Sequence, residues 1–406
     1  MKRVSLTVKI FISMILGVVL GIVLQNNGFI LDYIRPFGTV YLNLIKMVVI
    51  PVVLLSVIQG VVSLKSIKKV GTMGIGTVFY YLLTTALAIA LGLVFANLLD
   101  VGAGYVISGE KPDYSIPDTP RLGDTFVNIF PSNIFMAFSE GNMLQIIVIA
   151  ILLSFGIILA GEKGKKASEL IDSFSEVFFK IMNIIINLAP IGVFALICPV
   201  IAGNGINVLV PLLKVLLVAY LSYLVHMIFV YSALVGALAK ISPVKFFKNM
   251  IKPVLFAFSS ASSVGTLPFN IEAVRNLGCR KEVYSFVLPL GATLNMDGTA
   301  IYQGVCAVFI ARIFGINLDF SSQITIILTA TLASIGTAGV PGSGMIMLSM
   351  VLQSVGLPLE GIALLAGIDR ILDMGRTVVN ITGDASCALC IDSLYKRTIK
   401  LNKKGV

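Results

Sequence analysis

The chain has 406 residues, 57% of them hydrophobic and only 12% charged. Soluble domains carry about 25% charged residues, so this composition excludes an ordinary soluble protein and places the chain in a lipid bilayer. The formal charge of +10 is not a nucleic-acid signature, because the basic residues fall in short blocks between apolar runs, as on the inner side of a membrane protein.

The apolar runs are continuous rather than alternating, which calls for helices and not a barrel. Lys2, Arg3 and Lys9 lead into a first run at 10–27. No convincing cleavage motif follows it, so it is expected to be a spanning helix and not a signal peptide. Further runs lie at 37–64, 73–99, 143–161, 170–201, 206–239, 283–314 and 360–391. Each reaches or approaches the roughly 20 residues that cross the hydrocarbon core. Residues 100–141, with Asp100, Glu110, Asp113, Asp118, Asp124, several prolines, Lys111 and Arg121, are expected to form an external loop or broken helix. Two other stretches, 243–276 and 318–357, are apolar but broken by Ser, Gly, Thr and Pro.

Charge decides how those two are threaded. Basic blocks stand at Lys65/Lys68/Lys69, Lys163/Lys165/Lys166, Lys240/Lys245/Lys248/Lys252, Arg275/Arg280/Lys281 and Lys396/Arg397/Lys400/Lys403/Lys404. Eight crossings from a cytoplasmic N-terminus put every block inside, provided 243–276 enters and leaves on one side. It is therefore predicted to be a re-entrant hairpin from the cytosol. The 57 residues between Arg312 and Arg370 hold no Lys or Arg, so 318–357 is predicted to be a hairpin from the outside. Both termini are then cytoplasmic.

An internal repeat follows. The broken hairpin SSASSVGTLP (259–268) precedes a helix carrying Asn295-Met296-Asp297-Gly298-Thr299. A second broken hairpin, SIGTAGVPG (334–342), precedes a helix carrying Asn380-Ile381-Thr382-Gly383-Asp384. Inverted repeats whose interrupted helices meet near the midplane are the plan of secondary transporters.

The last helix carries the sharpest chemistry. Asp369, Asp373, Arg376, Thr377, Asn380 and Asp384 fall within an arc of about 100° on a helix. Such a stripe at membrane depth needs partners, water or a ligand. The planar fork of Arg376 suits a carboxylate and Asp373 an ammonium, a pairing that fits an acidic amino acid. A permanent Arg376–Asp373 pair one turn apart is the structural alternative. In 291–303, Gly298 and Asp297 weaken the backbone ladder and free carbonyls for a cation. Thr293, Asn295, Asp297, Asn380 and Asp384 add the oxygen ligands that Na+ prefers. An interhelical hydrogen-bond network is the alternative, and a buried acid could instead carry H+. The small, polar hairpin tips let backbone approach a ligand and point helix N-termini at a carboxylate, or else simply pack tightly.

The other single features carry less. His226, the only histidine, is expected to be packed or proton-sensing rather than catalytic. Cys387 and Cys390 form a CxxC on the closing turns of a helix, expected to be packing residues like Cys198, Cys279 and Cys306. Lys46, Lys180 and Lys214 are expected to snorkel or pair between helices. Gly342-Ser343-Gly344 is not a nucleophile elbow, and no other motif supports an enzyme or a channel.

Together SSASSVGTLP, NMDGT, SIGTAGVPGSG and DMGRTVVNITGD resemble the dicarboxylate/amino acid:cation symporter family, the sodium- and proton-coupled glutamate and aspartate carriers, over essentially the whole chain. The resemblance implies an all-α polytopic protein of eight transmembrane helices and two re-entrant hairpins, working as an elevator and assembling as a homotrimer in a prokaryotic plasma membrane. Residues 1–72 and 101–205 would be scaffold and external loop, and 73–100 with 206–406 the moving transport domain. The hairpins would be gates. Substrate would be held by Ser262, Ser263, Thr299, Val340, Gly344, Asp373 (amino group), Arg376 (side-chain carboxylate), Thr377 and Asn380 (main carboxylate). Sodium would be held by Gly291, Asn295, Asn380 and Asp384; by Thr293 with Ser334, Ile335 and Thr337; and by Tyr81, Thr84, Thr85, Asn295 and Asp297. H+ coupling and a C4-dicarboxylate substrate stay within the same family. The chain has Ala261 and Met374 where archaeal and animal relatives respectively carry Arg, and Arg370 stands nearby to supply positive charge. Arg376 is lacking in neutral-substrate members, and Asp384 is often replaced in proton-coupled ones. Their presence favours an acidic substrate and Na+.

Overall fold

The computed structural model describes residues 6–24, 30–63, 72–103, 127, 130–204, 209–334 and 343–402. Among these there is no strand. The helices are α1 (Leu6–Val23), α2 (Arg35–Ser63), α3 (Thr72–Leu98), α4 (Ile134–Glu140), α5 (Met143–Leu159), α6 (Glu162–Asn187) and α7 (Ala189–Asn204). Next comes α8 (Leu209–Val225), which continues through a π turn at His226–Tyr231, a short helix at Ser232–Leu234 and a second π turn at Val235–Ala239. Then follow α9 (Pro243–Ser260), α10 (Ser263–Asn276), α11 (Lys281–Leu294), α12 (Asp297–Ile313), α13 (Phe320–Ala333), α14 (Ser343–Ser354), α15 (Gly361–Ala366) and α16 (Asp369–Asn402). Two helical stretches, Met73–Leu98 and Val210–Ala239, are long and apolar enough by themselves to cross a membrane.

Two packing groups emerge. In one, α1 lies along α7 and α2 packs on α5, α6 and α7. In the other, α3 lies along α12, and α16 is flanked by α9, α11 and α12. The groups touch chiefly through α13–α15. Large apolar side chains such as Phe135, Leu159, Val210 and Phe229 point outward, the normal surface of a helix bathed in lipid. The outer face of α6 differs, because Lys166, Glu169, Ser173, Glu176 and Lys180 recur on it every three or four residues, Asn187 follows two turns later, and all are exposed.

The first predicted hairpin is α9 and α10, turned at Ala261 and Ser262. Ala261 ends α9 in the left-handed region (φ 51°), rare for a residue with a Cβ. Ser262 caps α10, its Oγ accepting from the Gly265 N–H at 3.1 Å. The second predicted hairpin is α13 and α14, with its turn outside the described residues. Asp319 caps α13 by accepting from the Ser322 N–H at 2.8 Å. The expected weak point in the seventh apolar run is a real break. Asn295 (φ −92°, ψ 102°) and Met296 (φ −123°, ψ 40°) separate α11 from α12.

Candidate functional site

The stripe on α16 is wholly internal, with Asp369, Asp373, Arg376, Thr377, Asn380 and Asp384 each at most 6% exposed. A buried guanidinium needs its donors satisfied. Arg376 Nη1 and Nη2 donate to the two oxygens of Asp369 at 3.1 and 3.3 Å, and Nε donates to Asp373 Oδ1 at 3.0 Å. The guanidinium lies 4.4 Å from the Tyr302 ring centroid, a cation–π contact. Asp373 also pairs with Arg370 at 3.3 Å, whose Nη2 reaches the Ser260 carbonyl at the first hairpin tip, 3.4 Å away. The two charges expected to face a solute thus face each other, as the pairing alternative anticipated. Asp369, with no role assigned from sequence, takes most of the fork.

Gly344, at the start of α14, abuts this cluster. A Cβ there would fall 2.2–2.7 Å from the Arg376 guanidinium, so a larger side chain would displace the charge. Gly298 is similarly constrained, a Cβ meeting the Arg376 carbonyl at 2.3 Å. The Gly298 N–H donates to Asn380 Oδ1 at 2.8 Å, which ties the start of α12 to α16. Thr299 and Ser263 are buried nearby in sequence to these contacts, while Ser262 is partly buried with its hydroxyl engaged in the cap. Thr377 Oγ1 bonds back to the Asp373 carbonyl at 2.8 Å. Val340 lies outside the described residues.

A second polar cluster sits where α3, α11, α12 and α16 meet. Asn295 Nδ2 donates to the Asn380 carbonyl at 2.8 Å and to Asp384 Oδ1 at 3.0 Å. A Cβ on Gly291 would come within 2.4 Å of both Asp384 Oδ1 and the Tyr81 hydroxyl, so these three predicted residues converge. Asp297 is fully buried; its Oδ1 accepts from Thr85 Oγ1 at 2.7 Å and its Oδ2 from the Tyr231 hydroxyl at 2.7 Å. Thr84 is buried beside them, bonded to the Tyr81 carbonyl. Asn295 Oδ1 is buried with no hydrogen-bond partner. An acceptor left open among two carboxylates is what a hard cation would satisfy, so this cluster fits Na+.

Not every expected ligand joins. The Thr293 side chain is a correction to the sequence expectation: it is exposed and bonds back to the Leu290 carbonyl at 2.9 Å, because its position on α11 faces away from α16. Ser334 is buried at the end of α13, its hydroxyl on the Thr331 carbonyl. Ile335 and Thr337 lie outside the described residues. His226, expected to be packed or proton-sensing, contacts Asp297 Oδ2 at 3.3 Å. Tyr231, Tyr302 and Asn270, which bonds the Ile381 carbonyl at 2.9 Å, also went unpredicted. As apolar-run aromatics and a lone amide they carry no spacing signal. The five cysteines are buried free thiols, and Lys214 on α8 donates to the Asp100 carbonyl in the turn after α3 at 2.9 Å.

Broken helices whose ends meet over buried charge are how a membrane protein holds a solute and its ion away from lipid. That is the class of this molecule, a helical transporter. The chain matches the model of the sodium:dicarboxylate symporter family over residues 6–394, and it belongs to that family, one of transporters and not of enzymes. It is similar to the proton/sodium-glutamate symport protein of Geobacillus stearothermophilus, 39% identical over 400 residues that span 96% of this chain and 94% of the relative. The C4-dicarboxylate transport protein of Bacillus subtilis (strain 168) is 34% identical, covering 95% and 93% respectively. The proton/glutamate-aspartate symporter of Escherichia coli (strain K12) is 33% identical, covering 96% and 92%.

Proposed function

We propose that this chain is a secondary symporter that carries an acidic amino acid, aspartate or glutamate, into a prokaryotic cell together with Na+. The observation that carries the proposal is the buried Arg376 between Asp369 and Asp373. Arg376 suits the side-chain carboxylate of such a solute once Asp369 gives up the fork, and Asp373 suits its ammonium. A C4-dicarboxylate would leave Asp373 without an ammonium to meet.

The solute takes the place of Asp369 on the Arg376 fork, with Asp373 on its ammonium and Asn380 and Thr377 beside its main carboxylate. Ser262 and Ser263 from the first hairpin, Val340 and Gly344 from the second, and Thr299 from α12 complete the enclosure. Na+ is held by the Tyr81, Thr84, Thr85, Asn295 and Asp297 group and by Gly291, Asn295, Asn380 and Asp384, with a further site at Thr293, Ser334, Ile335 and Thr337 using backbone oxygens. Asn380 binds on both sides and couples the two.

The proposed architecture has eight crossings, both termini in the cytoplasm, and an elevator in which the α3 and α8–α16 group slides against the α1–α2 and α4–α7 group. The separate packing of these groups supports that division. The exposed polar stripe on α6 supports a homotrimer, because charges such as Glu176 and Lys180 facing lipid would be costly and neighbouring copies around a wet axis would cover them.

The test is uptake of radiolabelled aspartate and glutamate into proteoliposomes, with Na+ and pH gradients imposed separately. Uptake should follow the Na+ gradient and vanish in Arg376→Thr. Full uptake driven by pH alone, with Na+ absent, would assign the coupling to H+ instead.

A further inference from the structure

The chain's one histidine lies fully buried beside Asp297, a carboxylate proposed to hold the ion, and is itself no ligand of solute or ion. His226 Nε2 stands 3.3 Å from Asp297 Oδ2, and its ring packs edge-on against Tyr231 with centroids 4.8 Å apart. A carboxylate can only accept, so Nε2 carries the hydrogen. Nδ1 is buried with no hydrogen-bond partner, so the Nε2 contact with Asp297 is the ring's one polar contact.

The backbone explains how both side chains reach one oxygen. His226 and Tyr231 are five residues apart, which on an α-helix would point them about 140° from each other. Here they open and close the π turn at His226–Tyr231. The wider i→i+5 turn brings such residues towards one face, and π turns recur at functional sites.

We propose that His226 and Tyr231 are positioning residues for cation binding. Together they fill both acceptor sites of Asp297 Oδ2, leaving Oδ1, which holds Thr85, with one acceptor direction open for a cation. Each carboxylate oxygen accepts about two hydrogen bonds, so occupancy of Oδ2 fixes which oxygen the cation meets and stops the group from swinging. The Tyr231 hydroxyl also lies 3.3 Å from the Val379 carbonyl, so the same pair keeps α8 in register with α16. This inference rests on Asp297 being an ion ligand.

The test reads the Na+ concentration that half-saturates aspartate binding to the purified full-length chain, with choline replacing Na+, alongside the melting temperature. His226→Phe keeps an aromatic ring but loses the donor, whereas His226→Gln keeps a donor near Nε2 and loses the ring. The proposal expects His226→Phe and Tyr231→Phe each to raise the half-saturating Na+ concentration about tenfold or more, and His226→Gln to stay within about threefold of wild type. Wild-type Na+ dependence in His226→Phe overturns it, as does a shift in His226→Gln equal to that in His226→Phe. Should the His226 variants not fold, Tyr231→Phe, which removes a single hydroxyl, decides, and unchanged Na+ dependence there overturns the proposal. Asp297→Asn is run in parallel. If its Na+ dependence is intact, the ion-site assignment has failed; if it is lost while Tyr231→Phe is unaffected, only the positioning role has.

Discussion

Asp369 competes with the solute for Arg376, and Asp369→Asn should expose that competition. In the structure both Nη groups of Arg376 donate to Asp369, at 3.1 and 3.3 Å. With Arg370 and Asp373 the four charges sum to zero. An acidic amino acid brings a net charge of −1 and would set a carboxylate near Asp369. At about 5 Å and an effective dielectric near 20, that repulsion is ~3 kcal/mol. Asparagine removes the charge yet still offers one acceptor to an Nη group. Aspartate affinity should therefore rise by up to about 100-fold, while the unliganded protein loses roughly 1–3 kcal/mol as a charge-assisted bond is weakened. Calorimetric titration with aspartate at fixed Na+, beside titration with asparagine as a neutral control, measures it; the control should move far less, since the repulsion acts on the side-chain carboxylate. A tenfold or greater fall in aspartate affinity, with the protein folded, would show that Asp369 holds Arg376 in its binding posture rather than competing for it.

Gly298→Ala would place a Cβ 2.3 Å from the Arg376 carbonyl oxygen and 2.6 Å from its Cα. Backbone cannot swing aside, so α12 and α16 must part at a cost of about 1–3 kcal/mol, seen as a lower melting temperature; an unchanged one contradicts the close approach. Asp392, 3% exposed, receives Arg280 Nε at 2.7 Å and pairs with Lys396. Asp392→Ala should cost roughly 2 kcal/mol, and a double-mutant cycle with Arg280→Ala should show coupling, whose absence would mark the contact as idle. Asp319→Ala removes the cap of α13 and should cost about 1 kcal/mol near pH 7. Hydrogen bonds from Ser322, its hydroxyl first and its backbone N–H second, hold the Asp319 carboxyl below the usual range. The difference should be complete above the unfolded value near 3.9 and fade as pH falls through the lower folded one; a difference constant down to pH 3 would refute the cap.

Much of the site was legible because its signals are local. The residues of DRILDMGRTVVNITGD needed only helical periodicity to share a face, and they do share a buried one. The helix break beside Asp297 was visible as Gly and Asp in an apolar run, although the structure puts it at Asn295 and Met296, two to three residues before Gly298. The direction of the Thr293 hydroxyl was not legible, because composition marks an oxygen without saying which way the side chain points. Its position on α11 turns it outward.

By itself the sequence determined the membrane setting, the all-helical class and the polar stripe, since hydropathy, charge blocks and period are properties of consecutive residues. Only the tertiary structure decided the pairings. Arg376 takes Asp369 across two helical turns, and Asp297 draws Thr85 from α3 and both His226 and Tyr231 from α8. These partners lie up to 212 positions apart, and helix packing, with one π turn that no propensity announces, brings them together.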